Sequence, residues 1–258
     1  ALPVTDAKGR IAGEVGAGNR KDIRNAVSAA RASKWAGATA YNRAQVLYFL
    51  AENLAVRADE FATRLGNLTG VKRKDAEAEV NLSIERLFVA AGLADKYEGR
   101  VHQPPMRVVT LALNEPVGVM GIVAPDEAPL LALVTMLGCA LAMGNAVVAV
   151  PSARYPLIAT DLYQVIETSD LPPGSVNIVT GESAELAAVL AKHDDVDGLW
   201  CLGEMELCAM VEQESAGNLK RVWTNSGRAI DWTGDDALPD DLFRRAVEIK
   251  NVWVPYGD

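Results

Sequence analysis

Cysteine, histidine, aromatic residues and long apolar runs are all scarce in this chain, and each shortage closes a class of function. Three cysteines among 258 residues, Cys139, Cys201 and Cys208, are odd in number and lack CxxC spacing. That pattern excludes a disulfide framework or a cysteine zinc site and reads as reduced thiols in a cytoplasmic protein. His102 and His193 are the only histidines and form no HxxxH pair, so no metal site is expected. No Lys/Arg-rich run occurs, and 25 basic against 34 acidic residues leave a net charge of -9. A chain this acidic is a poor coat for nucleic acid or an anionic membrane. The longest apolar stretches, near 130–141 and 146–150, are too short or too interrupted to cross a bilayer. Nothing at the N-terminus reads as a secretory signal. A start at Ala1 rather than Met reads as a processed product or a piece of something longer.

What is present is ordinary globular material. Half the residues are apolar and 23% charged, which suits one or two domains with a sizeable core. Residues 1–99 read as a helical layer. Asn19 with Asp22 resembles a capping box, followed by Ile23, Ala26, Val27 and Ala30 at helical spacing. Val46, Leu47, Leu50 and Leu54 form a second stripe, continued by Phe61, Leu65 and Leu68 up to Gly70. Val80, Ile84, Leu87 and Ala91 form a third, between about 74 and 97.

At Arg107 the texture changes. Residues 107–113 and 117–123 read as two strands separated by a turn at Asn114-Glu115-Pro116. From 117 onward strands and helices alternate: helix 130–141, strand 146–150, helix 156–167, strand 176–179, helix 184–191, strand 199–202, helix 205–214, strand 221–224. Short apolar strands alternating with such helices predict a Rossmann-like, doubly wound α/β core over 117–232 with a parallel sheet covered on both faces. A polar loop then leads to a short helix near 242–247 and a last strand at 249–254. With 107–113 that strand makes a β-flap beside one single-domain body, 1–258.

The segments Asn114-Glu-Pro-Val-Gly-Val-Met-Gly-Ile-Val-Ala-Pro125, Ala142-Met-Gly-Asn-Ala-Val-Val148 and Leu171-Pro-Pro-Gly-Ser-Val-Asn-Ile-Val-Thr-Gly181 resemble the aldehyde dehydrogenase superfamily. So do His193 with Asp195-Val-Asp197 and Gly92-Leu-Ala-Asp-Lys-Tyr-Glu-Gly99. The resemblance implies the family's Rossmann-like cofactor domain and its oligomerisation flap.

The family's functional residues do not follow. Glu127 stands where the resemblance places an oxyanion-hole Asn, and a carboxylate repels a developing alkoxide. Val150 and Ala153 stand where the family has a Lys and a Glu that hold the adenosine ribose. In the phosphate turn, Cys201-Leu202-Gly203-Glu204, Glu204 is positioned to cap the following helix with its own carboxylate. Cys208 replaces a later glycine. Asn225 falls at the general-base Glu, an amide with no useful pKa. The catalytic domain that the resemblance would insert between the last parallel strand and the flap strand is missing, since few residues separate Thr224 from Ile249.

Other features read as structural. Cys139 and Cys201 sit in apolar segments as buried fillers, and Cys208 has no basic neighbour in sequence. Asp194-Asp195, Asp235-Asp236 and Asp240-Asp241 read as solvated acidic loops without EF-hand spacing. Gly118, Gly121 and Gly203 read as packing glycines. By contrast Val108, Thr110, Leu111, Val252, Trp253 and Val254 read as an interface, because exposed strand edges invite pairing.

Together these readings predict a non-catalytic aldehyde-dehydrogenase-like domain. It would most resemble the C-terminal pseudo-domain of two-domain, family-sixteen aldehyde dehydrogenases, or the similar domain of long proline-utilisation flavoproteins. No cofactor would be bound by this chain, with NAD(P) serving the catalytic module. The expected partners are a catalytic aldehyde dehydrogenase domain or subunit and further copies of itself, through the flap. The alternatives are an NAD(P)-binding protein or a trimmed fragment of an active aldehyde dehydrogenase.

Overall fold

A computed structural model of the chain describes residues 1–234 and 237–256. The Asp235-Asp236 pair singled out above lies outside the described residues. The chain opens on an antiparallel hairpin, β1 (Leu2–Thr5) and β2 (Ile11–Val15). This corrects the expectation that 1–99 is wholly helical. Of β1 and β2 only Val4 and Val15 are buried, so the pair carries too little alternation to be legible as strands.

The expected helices follow. α1 (Arg20–Ala32) begins with the capping box: the Asn19 side chain accepts from Lys21 N at 2.8 Å, and Asp22 accepts from Asn19 N at 2.9 Å. α2 (Ala40–Val56) and α3 (Ala58–Thr69) divide the second apolar stripe, and Gly70 ends α3 in the left-handed conformation at φ 78°. α4 is Arg73–Leu93.

Five parallel strands form the core sheet: β5 (Val119–Val123), β6 (Ala146–Val150), β7 (Val176–Ile178), β8 (Gly198–Cys201) and β9 (Arg221–Thr224), in the order β7-β6-β5-β8-β9. Four helices connect them: α5 (Pro129–Ala142), α6 (Pro156–Glu167), α7 (Ser183–Lys192) and α8 (Met205–Ser215). The side-chain alternation of the strands supplies two separate cores. Val119, Val123, Val148 and Val150 pack with α1, α7 and α8, whereas Met120, Ile122, Val147 and Ala149 pack with α5, α6 and the N-terminal helices. α5, buried along its whole length, explains the most apolar helical stretch of the sequence.

Two polar side chains lock the start of β5. Asn145, fully buried, accepts from Gly118 N at 2.9 Å and donates to the carbonyls of Ala140 and Ala246. Asp197 accepts from Val119 N at 2.7 Å and from Arg31 at 2.6 Å. Gly118, at φ 132°, lies so close to this carboxylate that a Cβ would overlap it.

The flap is a second sheet, in the order β10-β4-β3: β3 (Arg100–His102), β4 (Val108–Pro116) and β10 (Val247–Pro255). Asn114-Glu115-Pro116 is therefore strand and not turn. It pairs with Val247–Ile249, a partner more than a hundred residues away. Pro116 is tolerated as the last residue of its strand. α9 (Ala237–Arg245) packs on α5 just before β10.

Candidate functional site

The loops that follow all five core strands open into one cleft of about 510 Å³, the place where doubly wound sheets hold ligands. Glu127, Ala153, Gly203, Glu204 and Asn225 all line it, so five residues scattered through the sequence meet there. Val150 is buried within β6, and Cys208 is buried on α8 behind the cleft wall. Asp126, Arg154, Glu182 and Arg228 complete the rim. Sequence reading missed these four, because nothing local marks them and only the convergence of four loops brings them together.

Asn225 is already engaged. Its side-chain oxygen accepts from Gly203 N at 3.1 Å and from the Cys208 thiol at 3.1 Å, while its Nδ2 donates to Arg228 O at 2.8 Å. The residues that follow Glu127 and Asn225, Ala128 and Ser226, are left-handed at φ 44° and 50°. Strained non-glycine backbone thus flanks both cleft positions. α5 begins after Ala128, and its first turn is capped from another helix: Glu79 of α4 accepts from Leu130 N at 3.0 Å and Leu131 N at 3.3 Å. Burial pushes the Glu79 carboxyl above the usual carboxylate range, and the two backbone N–H groups pull the other way.

α7 and α8 point their N-termini at the cleft without a side-chain cap. This corrects the expectation that Glu204 satisfies the first turn of α8. Its carboxylate makes no such bond and stays exposed at the rim. Four carboxylates, Asp126, Glu127, Glu182 and Glu204, and two guanidiniums, Arg154 and Arg228, share the cleft lining. Asp126 also accepts from Ser152 Oγ.

The chain's thiols lie outside the cleft lining, all three free and buried. Burial raises the Cys139 thiol far above its ordinary value and pushes Cys201 up to about 12. Neither is a nucleophile near neutral pH.

The sequence model of the aldehyde dehydrogenase family matches residues 3–228, which takes in every strand of the core sheet and both cleft positions discussed above. The chain belongs to the aldehyde dehydrogenase family. It is 35% identical to the mitochondrial aldehyde dehydrogenase of Rattus norvegicus over 233 residues, 87% of this chain and 44% of the relative. To human aldehyde dehydrogenase 1A1 it is 34% identical over 223 residues, again 44% of that protein. The solved NAD-dependent aldehyde dehydrogenase of Sinorhizobium meliloti superposes with a TM-score of 0.82 at 26% identity, covering 86% of this chain and 46% of that one. The chain thus spans about half the length of the relatives it matches. Among the described residues no helix is long and apolar enough to cross a membrane, and no group of three or more His, Cys, Asp or Glu is placed to hold a metal.

The flap carries a second candidate surface. Val101, Leu111 and Val252 lie in one row across the three strands and share a face with Val109, Leu113 and Val254. Val101 is 71% exposed, Leu113 44% and Val254 46%, an apolar face open to solvent. Val108 and Thr110, expected at the interface, turn to the opposite face and are buried there. Trp253 sits beside Thr110 on that face yet stays 54% exposed. The outer edge of β10 has no strand beside it among the described residues.

Proposed function

We propose that this is a non-catalytic, structural aldehyde dehydrogenase domain, part of or partner to an NAD(P)-dependent enzyme in the cytoplasm. One observation carries the reading: the cleft presents a Glu127 carboxylate and an engaged Asn225 amide but no thiol. Acyl transfer from an aldehyde needs a nucleophile and donors aimed at the oxyanion, and neither is supplied. The cleft also fits a dinucleotide poorly. Glu204 and Glu182 stand beside the uncapped α7 and α8 termini that would take a pyrophosphate, and Val150 and Ala153 offer the ribose no polar group.

The flap supports association as the role. Its open edge and its apolar face of Val101, Leu111, Leu113, Val252 and Val254 suit pairing with a catalytic aldehyde dehydrogenase domain or subunit, or with another copy of this chain. Changing Asn251→Pro together with Trp253→Pro removes the outward N–H donors of β10, the even-numbered ones being turned to β4 as Tyr256 N is to Arg107 O, and is expected to reduce assemblies to single chains by light scattering. An unchanged assembly state would count against this role.

The two uncapped helix termini and Arg154 with Arg228 favour a second reading, retained NAD(P) binding. Calorimetric titration with NAD and with NADP separates the two. The structural reading expects no heat, and micromolar binding selects the second.

A further inference from the structure

A cavity of about 580 Å³ lies apart from the cleft and shares no lining residue with it. It is bounded by Asn25 and Ala26 of α1 on one side and by Thr160 and Tyr163 of α6 on the other. α1 and α6 cover opposite faces of the core sheet. A cavity touching both therefore lies off the free edge of β7, which among the described residues has β6 on one side and no strand on the other.

The ladder shows what that edge presents. Val147 N donates to Ser175 O, and Val179 N donates to Ala149 O, so residues 175, 177 and 179 turn their backbone groups toward β6. Alternation in a parallel pair turns the N–H and C=O of Ile178 the other way, into the cavity. Just past the strand the cavity is closed: Gly18 N donates to Thr180 O at 2.7 Å, and Thr180 Oγ1 donates to Gly16 O at 2.8 Å. A Cβ at Gly18 would stand 2.5 Å from Thr180 O, so this closure is tight. Tyr163, 41% exposed, belongs to the cavity lining.

The geometry points to a binding site for a small planar molecule with an adjacent N–H and C=O, of the cyclic-amide class. Its carbonyl accepts from Ile178 N–H, its N–H donates to Ile178 C=O, and the Tyr163 ring covers its face. Unpaired backbone groups on a partly enclosed edge are satisfied by such a donor–acceptor pair. This site stands independently of the role assigned to the flap.

The test uses the full chain, labelled with ¹⁵N, titrated with 2-pyridone and, separately, with N-methyl-2-pyridone, which lacks the donor. The expected result is a saturable shift of the Ile178 amide with 2-pyridone, with the methylated probe weaker by about tenfold, the loss of one hydrogen bond. Tyr163→Ala, a change at a half-exposed side chain, is expected to weaken 2-pyridone binding while leaving the rest of the spectrum in place. An Ile178 amide that moves with neither probe, or equal affinity for both, would overturn the site. Unaltered binding by the Tyr163 variant would overturn the role of its ring.

Discussion

The side-chain oxygen of Asn225 accepts two hydrogen bonds at 3.1 Å, one from the Cys208 thiol on α8 and one from the Gly203 backbone, and so ties the end of β9 to the loop and helix that follow β8. Asn225 is thus a structural tie in this chain. Asn225→Ala should lower stability by about 1–2 kcal/mol, because a half-buried N–H and a buried thiol lose their acceptor. Urea unfolding of the variant against the parent measures it, and an unchanged midpoint would show that water replaces the amide.

Glu79 sets a pH dependence through the cap on α5. Burial raises its folded-state pKa above that of the unfolded chain, so the folded protein holds the proton more firmly. Its contribution to stability is full below the unfolded value and is lost as pH rises through the folded one. Glu79→Gln should therefore compare more favourably with the parent at pH 7 than at pH 4. Denaturation of both chains at the two pH values checks the sign, and a reversed difference would assign the carboxylate a net stabilising role when charged.

The three thiols should be silent in the folded chain. All are buried, and burial raises Cys139 and Cys201, so an aromatic disulfide reagent at pH 8 should modify them only when urea unfolds the protein. Rapid reaction of any of them under native conditions would refute that.

Trp232 lies in the short connection that follows β9 and is buried against the main core. Trp232→Ala should destabilise the fold by about 3 kcal/mol or more through the cavity it leaves. Thermal unfolding followed by circular dichroism is the measurement. A small shift would mean that this connection packs loosely.

The alternation from 119 to 224 was legible because β5, β6 and β8 are short runs buried on both faces and the helices between them carry apolar runs or stripes, patterns that survive in a linear reading. The capping box at Asn19 and the stop at Gly70 were legible because their partners lie within a few residues. The β1–β2 hairpin was missed because only Val4 and Val15 of its strands are buried, and the strand character of Asn114–Pro116 was missed because β10 imposes it from the far end of the chain. The cleft was half legible. Glu127, Ala153, Gly203, Glu204 and Asn225 could be named in advance by resemblance, but Glu204 leaves α8 uncapped and Asn225 binds Cys208, relations that no spacing discloses.

The amino-acid sequence by itself determined the family, the parallel core and the residue types at each cleft position, since these rest on local pattern and on the order of segments. Only the tertiary structure decided which way each flap residue faces, what holds Asn225, and that Glu79 caps a helix fifty residues on. Those depend on contacts between distant segments, where a side chain's partner is chosen by packing and not by its neighbours in the chain.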